Sequence, residues 1–303
     1  MSLIYVSKLS KRYGNELILK DVNFKADEGE IIGLLGPNGA GKTTFIRLLN
    51  GVIHSDSGTI TVSGFNPAAQ GDEVRKISGI VTESAGLYHQ MSGKENLEFF
   101  AGIYKVGAAK DQISRLLRLF DLEEHQAKLV GAYSTGMKKR LGLAKALLHN
   151  PKILFLDEPT NGLDPEGIRI VLSYLKKYNK ETGTTILICS HVLHQLETVC
   201  TSFAFMDRGT IVEQGRLKEL EEKYIKELEI TLETPFPIEP LHNILGFECL
   251  RKSDSYITIK LRSKEDISVL LKEILKSHPV YSVVHENNSL ESIYFNIREG
   301  GNG

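Results

Sequence analysis

The sequence predicts an α/β protein in which a mostly parallel, doubly wound sheet is followed by a small α+β module. Three observations carry that prediction. Short apolar runs at Ile31–Leu35, Ile153–Leu156 and Thr185–Ile188 have the length and composition of strands buried on both faces. Helical stretches alternate with them, as a doubly wound sheet requires. After Gly215 a densely charged stretch introduces a new set of strands and helices. A chain of 303 residues also exceeds what one core usually fills, which suggests about two domains.

In order, Ile4–Val6 onward and Leu17–Phe24 read as two strands broken by a turn at Gly14 and Asn15, hence antiparallel. From Glu30 the pattern is strand, glycine-rich loop and a helix over Lys42–Leu49. Three helical stretches lie between Gly93 and Leu148. Asp164 caps and Pro165 begins the helix between the later two buried strands. Arg216–Tyr224 reads as an exposed connecting helix. A boundary near residue 222 then gives domains of 1–222, with a helical subdomain at about 84–150, and 223–303. The second domain reads as strand Leu228–Leu232, helix Pro237–Leu245, strands Phe247–Arg251 and Tyr256–Leu261, helix Lys264–Lys276, strand Val280–His285 and a closing helix from Ser289. That order suggests a ferredoxin-like module.

Composition excludes more than it assigns. Lys plus Arg number 37 against 38 for Asp plus Glu, so no bulk positive field exists to draw nucleic acid, and none is expected as a partner. No run approaches the roughly 20 apolar residues that span a bilayer, and the N-terminus lacks a basic region followed by an apolar segment. A cytoplasmic chain, held at a membrane only by a partner, is the expectation. Cys189, Cys200 and Cys249 show no metal spacing and read as reduced core thiols.

The segment Gly36, Pro37, Asn38, Gly39, Ala40, Gly41, Lys42, Thr43, Thr44 fits the phosphate-binding pattern G-x-x-x-x-G-K-[ST] and lies between a strand and a helix. Glycines let successive N–H groups turn inward as an anion nest, and the helix N-terminus adds partial positive charge. Lys42 supplies a full charge for the β- and γ-phosphates, and Thr43 a hydroxyl for Mg²⁺. The run Ile153–Leu156 ends in Asp157 and Glu158. Alone, such an acidic strand end would suit a solvated loop. After a phosphate loop it implies Asp157 holding Mg²⁺ through water and Glu158 polarising the attacking water. Ser134 and Gly136 open a helix whose first turn carries Lys138, Lys139 and Arg140, which the helix dipole disfavours unless an anion lies near; a phosphate would resolve the conflict.

With these motifs in this order over residues 1–216, the chain resembles the nucleotide-binding subunits of ABC transporters. Ser134, Thr135, Gly136 and Met137 stand where the family has its Leu-Ser-Gly-Gly-Gln signature. The resemblance implies a P-loop NTPase fold of ABC type: a RecA-like core, an antiparallel β subdomain, a helical subdomain and here an added C-terminal α+β domain. It implies that Tyr13 stacks on adenine and that Asp164 crosses a dimer interface. His191, at the end of an apolar strand, would contact the γ-phosphate, and Glu158, His191 and Lys42 would form the catalytic set. Ser134 and Gly136 would reach ATP on the opposite subunit, so the active form is a head-to-tail dimer, expected to be a homodimer. A bland reading of Asp164 as a helix cap is compatible with its interface role. Tyr13 would also suit a strand edge.

Glu83 departs from the family pattern, which has glutamine there. As a working ligand it would bring a charged oxygen to Mg²⁺, alongside Thr43 and Asp157, and add negative charge beside the triphosphate. Pointing at solvent, it would do neither. Residues 84–105 match the stretch that forms a groove for the coupling helix of a separate transmembrane permease, although a core helix would explain their apolar residues equally well. The signature variant and the C-terminal module resemble the type-2 branch that exports drugs and antibiotics. The resemblance thus implies an ATPase powering export, bound peripherally to the cytoplasmic face of the cell membrane. The rivals are a non-transport ABC ATPase and a slow nucleotide-dependent switch.

Overall fold

The computed structural model describes residues 2–82, 86–225, 227–237, 242–286 and 289–300. The chain forms two compact units, 1–214 and 215–303.

The first unit begins with strands β1 (Ser2–Tyr13) and β2 (Glu16–Asp27), paired antiparallel, and β4 (Ser57–Val62) joins the other side of β1. On β2, Leu19 turns inward, and after an irregularity at Asp21, where φ is 47°, Val22, Phe24 and Ala26 alternate inward. Between these strands in sequence come β3 (Ile31–Leu35) and helix α1 (Lys42–Leu49). The inward face of the three-stranded sheet packs on α1, with Phe24 set edge-on to Phe45 at 5.4 Å between ring centres.

The second sheet has six strands in the order β5 (Ser78–Val81), β6 (Ile153–Asp157), β7 (Thr185–Ser190), β3, β8 (Ser202–Asp207) and β9 (Thr210–Arg216). The pairs from β5 through β8 are parallel. Every residue of β3, β6 and β7 is buried, which is why their sequences run apolar without alternation. The connections supply α2 (Gly71–Ile77), α3 (Gly93–Ile103), α4 (Ala109–Leu119), α5 (Thr135–Ala146), α6 (Pro165–Thr182) and α7 (Leu193–Glu197). Helix α3 opens with a reciprocal cap in which Ser92 Oγ accepts from the Glu95 N–H and Glu95 Oε2 accepts from the Ser92 N–H. Helix α6 starts at the Asp164 cap with Pro165 in its first turn and stops at Gly183, whose φ of 69° is the left-handed conformation of a glycine C-cap.

In the second unit, α8 (Leu217–Tyr224) is followed by β10 (Leu228–Glu233), β11 (His242–Ile244), β12 (Phe247–Arg251), β13 (Tyr256–Leu261), α9 (Lys264–Ile274), β14 (Ser282–His285) and α10 (Leu290–Gly300). The sheet order is β11-β12-β13-β10-β14, all antiparallel. Without β11, this is the strand order of a ferredoxin-like module. The helix expected over Pro237–Leu245 is corrected: within its described part, His242–Ile244 form an edge strand. Ile244 pairs with Phe247 across Leu245 and Gly246, at φ 53° and 85°. Two consecutive residues with positive φ make the tight turn that matches strand twist. Leucine at the first of them hid the hairpin, because asparagine or aspartate is the usual signal.

Where α5 hands over to β6, His149 stacks on Tyr104 at 4.2 Å, and its Nε2 lies 3.1 Å from the Ser78 carbonyl oxygen. Nε2 therefore carries the proton, and Nδ1 is buried with no described partner. Burial pushes the imidazole below its ordinary 6.5. Between that lowered value and 6.5 the unfolded chain binds more protons, so the contribution of His149 to stability is complete above 6.5 and is lost as pH falls through the window. Urea unfolding of the parent and of His149→Phe at pH 7.5 and 5.5 should show a smaller acid-side loss of stability in the variant.

Candidate functional site

Parallel pairing sets Leu35 beside Ser190 and Asp157 beside Cys189. Strands β3, β6 and β7 thus end together, and the segments leaving them meet at the carboxyl edge of the sheet, where open α/β sheets bind ligands. The loop after β3 must lie against its neighbours there. A Cβ on Gly36 would sit 2.1 Å from the Met206 carbonyl oxygen, and one on Gly41, at φ 104°, would sit 2.6 Å from Leu19 Cδ2. Helix α1 begins directly after this loop with no side-chain cap and no acidic residue in its first turn. Its first N–H groups and partial positive charge are thereby left for a ligand.

The side chains converge in pairs. Lys42 is 7% exposed, and its Nζ donates to the carbonyls of Gly36 at 2.7 Å and Pro37 at 3.1 Å, closing the loop on itself. Thr43 Oγ1 donates to Asp157 Oδ2 at 2.7 Å. Glu158 departs from the strand in the left-handed region, φ 50°, a conformation that costs a non-glycine residue roughly 1–3 kcal/mol. Its N–H donates to the Cys189 carbonyl at 2.9 Å, and its Oε1 lies 2.9 Å from His191 Nδ1. The Cys189 thiol beneath is held well above its usual pKa, first by burial and then by the Asp157 carboxylate, and stays protonated.

A cavity of about 550 Å³ opens over this group, lined by Asn38 through Thr44, Asp157, Glu158 and His191. Glu16, Ile18 and Asn161 also line it. The sequence offered no signal for Glu16 or Ile18, which enter because β2 passes beside the loop. Nothing in the sequence singled out Asn161 either, which follows Glu158 by three residues. Two hard oxygens, Thr43 Oγ1 and Asp157 Oδ2, fit Mg²⁺, which takes one or two protein ligands and completes its shell with phosphate and water.

The other expected residues lie elsewhere. Tyr13 ends β1 opposite Glu16, is 46% exposed, and has Lys11 Nζ 5.6 Å from its ring centre. Ser134 caps α5, its Oγ accepting from the Met137 N–H at 3.2 Å. Asp164 caps α6 by accepting from the Gly167 N–H at 3.0 Å. The two caps belong to one patch: a Cβ on Gly162 would lie 3.0 Å from Thr135 Cγ2, and one on Gly136 would lie 3.4 Å from Leu163 Cδ2. Glu83 lies outside the described residues. The charge conflict at the start of α5 is met largely inside the chain: Lys139 Nζ donates to the Glu158 carbonyl at 3.2 Å, and Arg140 donates to the Phe120 carbonyl at 2.9 Å and pairs with Asp121 at 3.3 Å. A phosphate is not needed for those two cations.

On α3, Leu97 and Ala101 face the core while Phe99 and Ile103 face out. Exposed Tyr88 and Phe99 form an aromatic cluster with half-buried Phe100, ring centres 4.9 to 5.9 Å apart. Buried Asn96 fixes the loop of Tyr88, accepting from its N–H at 2.8 Å and donating to its carbonyl at 2.9 Å. These apolar residues are therefore not all core.

Gly36→Ala tests the loop geometry. A methyl group 2.1 Å from a backbone oxygen forces the loop to move, at a cost of about 1–3 kcal/mol, so nucleotide affinity measured by equilibrium titration should fall about tenfold or more.

The ABC transporter family model matches residues 19–161. An uncharacterized ABC transporter ATP-binding protein of Bacillus subtilis (strain 168), YhcH, is 33% identical over 296 residues, 98% of this chain and 96% of that protein. The bacitracin transport ATP-binding protein BcrA of Bacillus licheniformis is 38% identical over 234 residues, 76% of this chain and 75% of BcrA. Among solved structures, a dimeric bacterial ABC transporter cassette superposes with a TM-score of 0.65 at 25% identity, over 70% of this chain and 98% of the cassette. The converging phosphate loop, paired carboxylates and histidine, and a relative that spans nearly the whole chain, make this protein a member of the ABC transporter family, its ATP-binding and ATP-hydrolysing subunit.

Proposed function

We propose that this subunit binds Mg·ATP between two copies of the chain arranged head to tail and uses its hydrolysis to drive export through a separate transmembrane permease. The observation that carries this reading is the division of the site within one chain. The phosphate loop, Asp157, Glu158 and His191 share one cavity, whereas Ser134–Met137 and Asp164 form a different patch. A second copy would bring that patch to the nucleotide, and the related cassette is itself dimeric.

In this reading the N–H groups of Gly39 through Thr44 hold the phosphates, and Lys42 Nζ turns its charge to the β- and γ-oxygens. Thr43 and Asp157, with Glu83, would hold Mg²⁺, which when bound neutralises charge developing on the transferred phosphoryl group. Glu158 orients the attacking water and accepts its proton, while His191 fixes the carboxylate at 2.9 Å. Tyr13 would stack on the base from the end of β1. Ser134 and Gly136, at an uncrowded helix N-terminus, would meet the γ-phosphate bound to the other copy.

The direction of transport rests on the resemblance of the signature variant and the C-terminal module to the exporting branch, and the bacitracin transport protein is a relative named for transport. The transmembrane partner rests on the exposed cluster of Tyr88 and Phe99, which suits an apolar helix of a membrane subunit. Among the described residues no helix is long and apolar enough to cross a membrane, so the permease would hold this subunit at the cytoplasmic face.

Glu158→Gln keeps the size of the side chain but removes the base, and turnover should fall at least about a hundredfold with ATP binding retained; parental turnover would refute the assignment. Glu83→Gln should keep ATP binding and change the Mg²⁺ dependence of hydrolysis, and superimposable metal and rate curves would exclude Glu83 as a ligand. Phe99→Glu should weaken co-purification with the polytopic membrane subunit, which ribosome or DNA association in place of a membrane partner would contradict.

A further inference from the structure

We propose that Lys139 is a positioning residue that sets the backbone of Glu158 and links it to the helix opened by Ser134. The inference rests on the reading of Glu158 as the base and adds a second residue to it. Lys139 is 5% exposed, in the first turns of α5, where both desolvation and the helix dipole disfavour an ammonium group. A buried lysine there requires a compensating acceptor. Its Nζ donates to the Glu158 carbonyl at 3.2 Å.

That carbonyl does not need lysine merely to be satisfied, because the Asn161 N–H already donates to it at 3.3 Å. What the second donor adds is control of a peptide plane. Glu158 has φ 50°, a conformation that persists only where its surroundings over-determine it. Its N–H is tied to the Cys189 carbonyl and its carboxylate to His191, both from the β7 side. Lys139 ties the carbonyl from the opposite element, α5. The orientation of the following peptide sets ψ of Glu158 and so the course of the turn through Asn161. A shift of α5, such as engagement of Ser134 and Gly136 by a second copy would produce, moves the anchor of the Glu158 carbonyl directly. Hydrolysis is thereby made sensitive to whether the patch at Ser134 and Gly136 is occupied.

The test uses the purified full chain with Lys139→Met, which keeps length and loses the donors, Lys139→Arg, which restores them, and Glu158→Gln in parallel. Loss of one charge-assisted hydrogen bond predicts kcat down about ten- to a hundredfold in Lys139→Met, with KM for ATP and nucleotide affinity within about threefold of the parent. Lys139→Arg should recover most of that loss. Unchanged kcat in Lys139→Met, equal impairment in Lys139→Arg, or a rise in KM with kcat intact would each overturn the proposal. Should Lys139→Met fail to fold, Lys139→Gln, shorter and uncharged, must show lower kcat at parental KM, and parental kcat there overturns it equally. Parental turnover in Glu158→Gln would remove the base on which the inference rests. An inactive Glu158→Gln beside a fully active Lys139→Met would sink the Lys139 link alone.

Discussion

The chemistry of the first unit depends on the parallel register of β3, β6 and β7. Because Leu34, Cys189 and Asp157 lie at matched heights in adjacent strands, the segments that follow emerge at one edge although they are more than a hundred residues apart in sequence for β3 and β6. A slip of one residue in β6 would turn Asp157 to the other face of the sheet and break its contact with Thr43. Complete burial of the three strands is what fixes that register, since each slip would have to be made inside a packed core.

On that frame the site is held by local devices of opposite character. The phosphate loop depends on the absence of side chains, at Gly36 and Gly41, where backbone or a leucine methyl occupies the space. Glu158 depends on the presence of partners, because a glutamate at φ 50° needs its N–H, carbonyl and carboxylate all engaged. The first device makes room for a ligand of any triphosphate kind. The second points one carboxylate in one direction.

Much of this was legible in the sequence where the chemistry is compressed into short spacing. Gly36 through Thr44, the Asp157 and Glu158 pair, and the Asp164 cap all declare themselves within a few residues, and buried parallel strands are readable as continuous apolar runs. What was not legible arises from tertiary neighbours. Glu16 and Ile18 join the cavity only because β2 passes the loop. Lys139 looked like one member of a cationic run, and its acceptor lies on another element. His242–Ile244 took a strand in place of the expected helix because a Leu245–Gly246 turn closed a hairpin whose residues give a weak local signal. Tyr13, placed by resemblance on the base, sits exposed at a strand end, a position that local pattern could not distinguish from an edge aromatic.

The contact between Thr135 and Gly162 couples two stretches that sequence reading treats as separate motifs. Threonine stands at 135 where the family signature carries glycine, and its methyl group lies 3.0 Å from where a Cβ at 162 would sit, so a side chain there would require the threonine to give way by a few tenths of an ångström. Gly162 is also held at φ 79°, so a larger residue there would be opposed twice, by volume and by backbone. The two positions therefore share a single allotment of room at the molecular surface, and variation at one is permitted only within limits set by the other.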